Sequence, residues 1–179
     1  MHQIVYHDII EGDEIWVVKV GNEESSSKRL PRTLYHGALR EILSEAGLQP
    51  LIGYDELGKP NLVQHPLLHL SISHRHNWLA FAISEQPIGI DVETFNANMR
   101  EAQHYFMHSE ERVGKWSDDD LLRIWCAKEA LFKKLGGESV RPEVDFTVQY
   151  VEGKWSITYQ EQSFAIQEKQ IEDFKIVWI

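Results

Sequence analysis

The feature that most constrains the fold of this chain is the alternation of short β-rich runs with segments of helical periodicity. Residues 4–20 contain two β-rich runs around Glu11-Gly12-Asp13, which predicts a hairpin. Helical spacing follows from about Pro31 to Ala46 and again from Ser117 to Gly137. The order of strands, helix, strands, helices and strands predicts an α+β unit that is used about twice.

The two strongest helices have ordinary start and stop signals. The first has Pro31 at its start and Gly47 just past its end, and the second has Ser117 as its N-cap and Gly136 after its last turn. The apolar residues that predict the buried faces are Leu34, Ala38, Leu39, Ile42 and Leu43 in the first helix, and Leu121, Leu122, Trp125, Phe132 and Leu135 in the second. Residues 98–116 carry a weaker helical pattern.

The remaining β-rich runs fall in the middle and at the end of the chain. Residues 67–73, 78–84 and 88–93 read as three adjacent strands, which predicts one small sheet. The tail from Val144 to Ile179 alternates apolar and polar residues around a Glu152-Gly153 turn, which predicts three or four antiparallel strands.

Composition narrows the class of protein. A chain of 179 residues with 42% hydrophobic residues has enough apolar side chains for one domain or two small, closely packed halves, which excludes wholesale disorder. The single cysteine, Cys126, excludes an intramolecular disulfide and a thiolate zinc site. We therefore expect a reducing, cytoplasmic setting.

The charge distribution narrows the class of ligand. The formal net charge of −10 argues against nonspecific nucleic-acid binding. Most of the acidic excess lies in residues 1–24 and 143–179, so a basic pocket for a phosphate-bearing ligand can exist in the nearly balanced middle. The chain has no apolar run of bilayer length and its first residues lack a signal-peptide pattern, so we expect neither membrane spanning nor secretion.

Two acidic residues lie at the end of the predicted strand over residues 88–93. Because side chains alternate along a strand, Gly89, Asp91 and Glu93 share one face. Paired carboxylates suit a hard divalent cation such as Mg²⁺, which takes oxygen ligands from the protein and from phosphates, and the glycine would leave room for a ligand. The alternative is that two acids are simply solvated at a strand end.

The second strong helix adds a third acid. Trp125, Glu129 and Lys133 are spaced four residues apart and so line one stripe, with Lys128 beside them. Since Trp125 belongs to the buried face, Glu129 is expected at the boundary of the core, where it could complete a metal site. The alternative is an ordinary surface ion pair between Glu129 and Lys133.

Side chains that can donate hydrogen bonds to a phosphate occur at another strand end. Ser71-Ile72-Ser73-His74 follows a predicted turn at Gly58-Lys59-Pro60, and hydroxyl, imidazole and ammonium groups all bind phosphate. A turn-capping set is the alternative. Zinc binding by His69, His74 and His76 is disfavoured because no third ligand is clear, and neither serine lies in a glycine-bracketed nucleophile elbow.

Four short segments occur in order: Gly58–Pro60 (GKP), Ser71–His74 (SISH), Ile88–Glu93 (IGIDVE) and Trp125–Lys133 (WCAKEALFK). Together they resemble the signatures of the Sfp-type 4′-phosphopantetheinyl transferases. Softer matches are Arg32-Thr33-Leu34 and a Phe-x-x-x-Glu stretch at Phe106–Glu110. The resemblance covers about residues 28–137.

The resemblance implies an enzyme that transfers 4′-phosphopantetheine from coenzyme A to a serine of an apo acyl or peptidyl carrier protein and releases adenosine 3′,5′-bisphosphate. Such carriers belong to fatty acid, polyketide or nonribosomal peptide biosynthesis. The alternatives are an inactive coenzyme A-binding or carrier-docking module of the same fold, and a metal-dependent hydrolase of nucleotide diphosphates.

The resemblance also implies roles for residues. Asp91, Glu93 and Glu129 would hold Mg²⁺ on the diphosphate, directly or through water, and Glu129 would act as the general base, directly or through a bound water. Lys133 and Lys128 would neutralise phosphate oxygens, with Lys133 steadying the leaving group. The implied coenzyme A contacts are Lys59, Ser73 and His74 to the nucleotide phosphates, Arg32 and Thr33 near the adenine and ribose, and Lys28 and Arg29 to the 3′-phosphate.

The fold that the resemblance implies is a pseudodimer of two similar α+β halves, residues 1–94 and 95–179, with coenzyme A in the cleft between them. A pseudodimer can close such a cleft as a monomer, which is the expected state. Because carrier proteins are acidic and this chain is acidic too, either docking uses a local basic and apolar patch around Arg112, Lys115 and exposed aromatic residues, or the partner is less acidic than usual.

Overall fold

The computed structural model describes residues 1–21, 31–137 and 140–179 of a mixed α/β protein. The chain divides into two compact units, Met1–Ile88 (unit 1) and Gly89–Ile179 (unit 2). This division falls earlier than the predicted one after Thr94, because the strand Ile90–Thr94 pairs with a strand of unit 2.

Unit 1 combines one antiparallel sheet with a helix. Its elements are β1 (His2–Ile10), β2 (Asp13–Val20), α1 (Arg32–Glu45), β3 (Ile52–Tyr54), β4 (Pro60–Leu62), β5 (His69–Arg75) and β6 (Trp78–Ser84). Among the described residues the strand order is β1-β2-β6-β5-β4-β3, with every neighbouring pair antiparallel. The short strands β3 and β4 were not predicted.

Helix α1 confirms the first predicted helix and covers one face of this sheet. Tyr35 is buried on the core face, whereas Leu34, which the apolar pattern placed there, is 45% exposed. The other buried residues of the helix are Ala38, Leu39, Ile42 and Leu43, as predicted. They pack against apolar side chains of β2, β5 and β6, which form the core of unit 1.

Two tight turns set the ends of the unit 1 hairpins. Glu11 and Gly12 have φ values of 55° and 95°, so the predicted hairpin between β1 and β2 is confirmed and its turn needs two left-handed residues. The β5–β6 turn is tighter than predicted, since it is centred on His76 and Asn77 while His74 and Arg75 still belong to β5.

Unit 2 contains the longest described helix and two small sheets. Its elements are β7 (Ile90–Thr94), α2 (Asn98–Phe106), a 3₁₀ turn (Glu111–Val113), α3 (Asp118–Leu135), α4 (Pro142–Asp145), β8 (Phe146–Val151), β9 (Lys154–Tyr159), β10 (Gln162–Ala165), β11 (Gln167–Ile171) and β12 (Phe174–Trp178). The helical pattern predicted over 98–116 is thus interrupted after α2. No helix in the described ranges is long and apolar enough to span a membrane.

Helix α3 is the second predicted helix and is confirmed with its caps. The side chain of Ser117 accepts a hydrogen bond from the backbone N–H of Asp120, and the carboxylate of Asp120 accepts one in return from the N–H of Ser117. Gly136 ends the helix in the left-handed region with a φ of 83°. Of the predicted stripe Leu121 and Leu122 are buried, whereas Trp125, Phe132 and Leu135 are only half-buried. The buried face of the helix packs against β8, β9 and β12 and forms the core of unit 2.

The predicted single sheet of three adjacent middle strands is wrong. In the described residues β5 and β6 belong to the sheet of unit 1, whereas β7 is an edge of a separate sheet with the order β11-β12-β7. The tail forms five described strands instead of three or four, because the chain leaves the β8–β9 sheet after β10 and then pairs β11 with β12. The strand β7 therefore pairs with β12 and not with its sequence neighbour β6.

Candidate active site

Strand β7 carries two acids of the candidate site on one face. Asp91 lies opposite Val177 of β12, and Glu93 lies opposite Lys175. Val177 belongs to the core under α3, so this face of the strand is the one that α3 covers. Asp91 is buried with 6% of its surface exposed, and Glu93 is half-buried.

Gly89, just before β7, has a structural role that differs from the predicted one. A Cβ atom on Gly89 would overlap the carbonyl oxygen of Ala130 and lie 2.8 Å from the backbone nitrogen of Lys134. The backbone of α3 therefore fills the space beside this glycine. The expectation that Gly89 leaves room for a ligand is wrong, because the glycine instead lets the strand approach the helix.

Lys133 of helix α3 connects the helix to this strand. Its Nζ atom donates hydrogen bonds to Oδ1 of Asp91 at 2.7 Å and to the carbonyl oxygen of Ile90 at 3.0 Å. Glu129 lies one helical turn earlier, and its carboxylate interacts electrostatically with Asp91, Glu93 and Lys133. The structure therefore brings together the strand acids and the helix acid that the sequence singled out.

The charge balance of this cluster raises the pKa of Glu129. The largest cause is burial, followed by the negative charge of Asp91, which the positive charge of Lys133 opposes, and by the charge of Glu93. Three carboxylates thus face one ammonium group. A carboxyl group with a raised pKa binds a proton more readily than an exposed glutamate does, as general-base catalysis requires.

The only cysteine of the chain lies in the same cluster. Cys126 is fully buried, and burial raises the pKa of its thiol well above the ordinary value, with further contributions from Asp91 and Glu93. The thiol also hydrogen-bonds the side chain of Asp91. It is therefore held in its protonated, unreactive form beside the predicted metal ligand.

The donor chemistry of the cluster fits a hard divalent cation. Asp91, Glu93 and Glu129 offer only carboxylate oxygens, the ligands that Mg²⁺ prefers, and a bound cation would relieve the repulsion among these carboxylates. In the described ranges no three acidic, histidine or cysteine side chains stand in a ready ligand arrangement. The assignment of these three acids as metal ligands stays a prediction.

Lys128 faces away from this cluster, which contradicts its predicted contact with phosphate. It is 1% exposed, and its Nζ atom donates to Oε2 of Glu111 at 2.7 Å and to the carbonyl oxygens of Phe146 and Pro142 at 3.0 and 3.2 Å. All three ammonium hydrogens are used inside unit 2. Lys128 is therefore a structural residue.

Glu111 is a buried acid that the sequence analysis missed. Its carboxylate accepts hydrogen bonds from Lys128 and from the backbone N–H groups of His108 and Val148, the latter two at 2.6 Å. Glu111 is 3% exposed, whereas Glu110, which ends the Phe-x-x-x-Glu match, is exposed. Adjacent glutamates look alike in a sequence, so only the contacts distinguish them.

The Ser-Ile-Ser-His segment lies on β5, an inner strand of the unit 1 sheet. Ser71 and Ser73 are buried on β5, and the ring of His74 stacks on Tyr35 of α1 with centroids 4.4 Å apart. The Tyr35 hydroxyl donates a hydrogen bond to the carbonyl oxygen of His76. Helix α1 thus orients the imidazole of His74 through an aromatic residue that the sequence analysis did not single out.

Lys59 lies at the predicted turn, which the structure confirms. Gly58 has a φ of 83°, and the Asp55 side chain accepts hydrogen bonds from the backbone N–H groups of Leu57 and Lys59. Burial lowers the pKa of Lys59, while Asp55 opposes that shift. A cavity of about 420 Å³ borders Lys59 and the β4–β5 edge.

The remaining predicted coenzyme A contacts lie at or before the start of helix α1. Arg32 and Thr33 are exposed at its first turn. Arg32 contacts two residues that were not predicted, His36 one turn along and Tyr54 of β3. His36 could have been predicted as a partner of Arg32 only from the spacing of four residues between them. Lys28 and Arg29 lie outside the described residues.

Comparisons with known proteins agree with the motifs. A family model described as the 4′-phosphopantetheinyl transferase superfamily matches residues 87–175. A 4′-phosphopantetheinyl transferase of Bacillus subtilis is 31% identical over 113 residues, which cover 60% of this chain and 50% of that protein. The 4′-phosphopantetheinyl transferase Sfp of Bacillus subtilis (strain 168) is 33% identical over 109 residues, which cover 57% and 49%.

A more distant relative covers more of the chain. The 4′-phosphopantetheinyl transferase gsp of Aneurinibacillus migulanus is 26% identical over 132 residues, which cover 70% of this chain and 55% of that protein. The chain spans about half the length of the curated relatives it matches. The matched segment 87–175 contains the strand acids, the helix acid and Lys133. The chain therefore belongs to the 4′-phosphopantetheinyl transferase superfamily.

Proposed function

We propose that this protein transfers 4′-phosphopantetheine from coenzyme A to a serine of an apo acyl or peptidyl carrier protein, with Mg²⁺ as cofactor. The observation that carries the proposal is the cluster of Asp91, Glu93, Glu129 and Lys133 in unit 2. The names of the similar proteins support the same reaction. The carrier belongs to fatty acid, polyketide or nonribosomal peptide synthesis.

The transfer is a displacement at phosphorus. The carrier serine oxygen forms a bond to the phosphorus that bears the pantetheine arm, the bond from that phosphorus to the bridging diphosphate oxygen breaks, and adenosine 3′,5′-bisphosphate leaves. The serine proton passes to Glu129, directly or through a bound water. The raised pKa makes Glu129 a better proton acceptor than an exposed glutamate.

Asp91, Glu93 and Glu129 are the residues that would hold Mg²⁺, directly or through water. When bound there, the cation would neutralise the negative charge of the diphosphate. The three acids supply oxygen ligands only, which suits Mg²⁺ better than a softer metal.

Lys133 would steady the leaving group. Its ammonium group has three hydrogens, of which two are used on Asp91 and on the Ile90 carbonyl. The third has no hydrogen-bond partner within residues 1–21, 31–137 and 140–179. It can therefore donate to a phosphate oxygen while the lysine stays anchored on the strand.

The proposed contacts with the nucleotide end of coenzyme A follow from the resemblance to the family. Lys59, Ser73 and His74 are the proposed phosphate contacts, and Arg32 and Thr33 the proposed contacts near the adenine and ribose. The similarity of the two units as halves of a pseudodimer, and the contact of Lys28 and Arg29 with the 3′-phosphate, stay predictions.

The test is the mass of a carrier protein. Purified protein, Mg²⁺, coenzyme A and an apo carrier domain should give a carrier heavier by one phosphopantetheine group, with one adenosine 3′,5′-bisphosphate released per carrier. A carrier whose acceptor serine is replaced by alanine is the matched control. Unchanged mass with carriers of all three pathway classes would refute the proposal, and release of adenosine bisphosphate without any carrier would indicate a hydrolase.

A further inference from the structure

Arg32 and His36 of helix α1 and Tyr54 of β3 form one contiguous group, which we call the α1–β3 cluster. Nε2 of His36 lies 2.9 Å from the hydroxyl oxygen of Tyr54 and 3.4 Å from Nε of Arg32. The guanidinium carbon of Arg32 lies 5.0 Å from the centroid of the Tyr54 ring. Each residue of the cluster therefore contacts the other two.

The contacts specify the hydrogen-bonding role of His36. An arginine Nε can only donate, so Nε2 of His36 is the acceptor, and the Tyr54 hydroxyl, which shares that atom, donates as well. The proton of the imidazole is then on Nδ1. The ring planes of His36 and Tyr54 differ by 17° with centroids 6.0 Å apart, so the two rings are stacked in a nearly parallel arrangement.

The surroundings keep His36 neutral. Burial lowers the pKa of its imidazole, and the positive charges of Arg32 and Arg40 on α1 and the ring of His74 on β5 lower it further. Tyr54 on β3 completes the set of groups that face the ring. A neutral imidazole is the form that can accept from Arg32 at Nε2.

The cluster leaves the far end of Arg32 available for a ligand. Its Nε is bound to His36 and its flat face lies over Tyr54. The two terminal nitrogens have no hydrogen-bond or ion-pair partner in the part of the chain that the structure describes. A planar guanidinium that is fixed at one nitrogen and open at the other two is well suited to bind a phosphate group.

We propose that His36 is a positioning residue for coenzyme A binding: it holds the Arg32 guanidinium on Tyr54 so that its terminal nitrogens receive the phosphate on the ribose of the nucleotide. The inference rests on the proposed function. Its physical basis is preorganisation, because an arginine side chain that is already ordered loses less conformational freedom when the ligand binds. His36 itself does not contact the ligand.

Three variants separate this role from a general loss of structure. His36→Leu removes the acceptor, His36→Gln puts an amide oxygen near the position of Nε2, and Tyr54→Phe removes only the shared hydroxyl. His7→Leu is the matched control, because His7 lies on β1 and hydrogen-bonds Glu14, remote in sequence from the cluster. Circular dichroism and thermal melting show whether each variant folds.

The first readout is the affinity for coenzyme A, measured by calorimetry without carrier. We expect His36→Leu to raise the Kd by about 3- to 10-fold, as for the loss of one ordering hydrogen bond, with an equal rise in KM and an unchanged kcat. His36→Gln and His7→Leu should stay within about 2-fold of the wild type. Wild-type affinity in His36→Leu, or equal weakening in His36→Gln, would overturn the proposal.

The second readout is the pH dependence of the Kd. It compares the wild type with His36→Gln, so it can be measured even if His36→Leu fails to fold. As pH falls below the ordinary histidine value of 6.5, the wild-type imidazole takes a proton on Nε2, loses both hydrogen bonds and repels Arg32. The affinity of the wild type should therefore fall more steeply than that of His36→Gln. Parallel profiles would overturn the proposal. If the wild type binds coenzyme A but transfers no phosphopantetheine, the proposed function is refuted. The comparison of Kd values between the wild type and His36→Gln would still decide the role of His36.

Discussion

The ammonium group of Lys133 joins helix α3 to strand β7 through Oδ1 of Asp91, 2.7 Å away. The lysine side chain is 27% exposed and the aspartate side chain 8% exposed, so water screens the pair only partly. The contact holds together the two elements that carry all three candidate metal ligands. It therefore links the stability of unit 2 to the geometry of the proposed active site.

Replacing Lys133 by methionine should weaken both the fold and the reaction. The change leaves the buried carboxylate of Asp91 without its cation, so we expect the free energy of unfolding to fall by about 1–3 kcal/mol in urea denaturation. The transfer rate should fall by about 100-fold or more, because a donor to the leaving group is lost. Lys134→Met is the control, since Lys134 lies over the Phe164 ring. If Lys133→Met and Lys134→Met lose the same stability and the same transfer rate, Lys133 has no special role in the fold or the reaction.

Replacing Lys128 by methionine should act on stability alone. The variant leaves Glu111 buried without its cation, and breaking a buried pair in this way costs about 3–5 kcal/mol. The double variant Lys128→Met with Glu111→Gln should lose less stability than the two single variants together, since the partners are coupled. A stable Lys128→Met protein with a raised KM for coenzyme A would instead restore the phosphate contact predicted from the sequence.

The contrast between these two lysines shows what the sequence could predict. Helical periodicity correctly grouped Glu129 with Lys133 and placed them at the edge of the core. The same reasoning could not orient Lys128, because its direction depends on Glu111, which is 17 residues away, and on carbonyl groups after the helix. Burial of a lysine is set by such distant partners and not by its position on a helical wheel.

Strand pairing likewise depends on distant residues and could not be predicted from local sequence. Alternation along β7 correctly predicted that Asp91 and Glu93 share a face, since that property is local. The pairing of β7 with β12 instead of its sequence neighbour β6 joins residues about 85 positions apart, and no local pattern encodes it. His36 and Tyr54 were missed for the same reason, because β3 is a three-residue strand with a weak signal.

Replacing Gly89 by alanine should disrupt the approach of β7 to α3. The new methyl group would overlap a backbone carbonyl of the helix, which a side-chain rotation cannot relieve, so we expect a loss of about 3 kcal/mol or more in the free energy of unfolding. Gly37→Ala on α1 is the control: nothing lies within 4 Å of its added Cβ, and alanine favours helix by about 0.5–1 kcal/mol. A stable Gly89→Ala protein would contradict the packing described here.

Replacing Glu129 by glutamine should abolish transfer and leave the protein as stable as the wild type or more stable. The loss of the base should lower the rate by about 100- to 10,000-fold. The pKa of Glu129 is higher in the folded than in the unfolded state, so stability falls as the pH rises from the unfolded pKa to the folded pKa, where the unfolded chain releases the proton first. Glutamine removes that loss, which denaturation at pH 5 and pH 8 can measure. Transfer at the wild-type rate would exclude Glu129 as base and as ligand.

Replacing Asp91 by asparagine should lower the pKa of Glu129 as well as abolish Mg²⁺-stimulated transfer. Burial, the largest cause of the raised pKa, stays in place, but the negative charge of Asp91, the next cause, is removed while the positive charge of Lys133 remains. The side-chain carboxyl carbon of Glu129, followed by ¹³C NMR during a pH titration without metal, should therefore titrate at a lower pH than in the wild type. Lys175→Met is the control, because Lys175 pairs with Asp119 and Glu168. An unchanged Glu129 titration in Asp91→Asn would mean that the two carboxylates are not coupled, and the proposed shared cation would lose its structural basis.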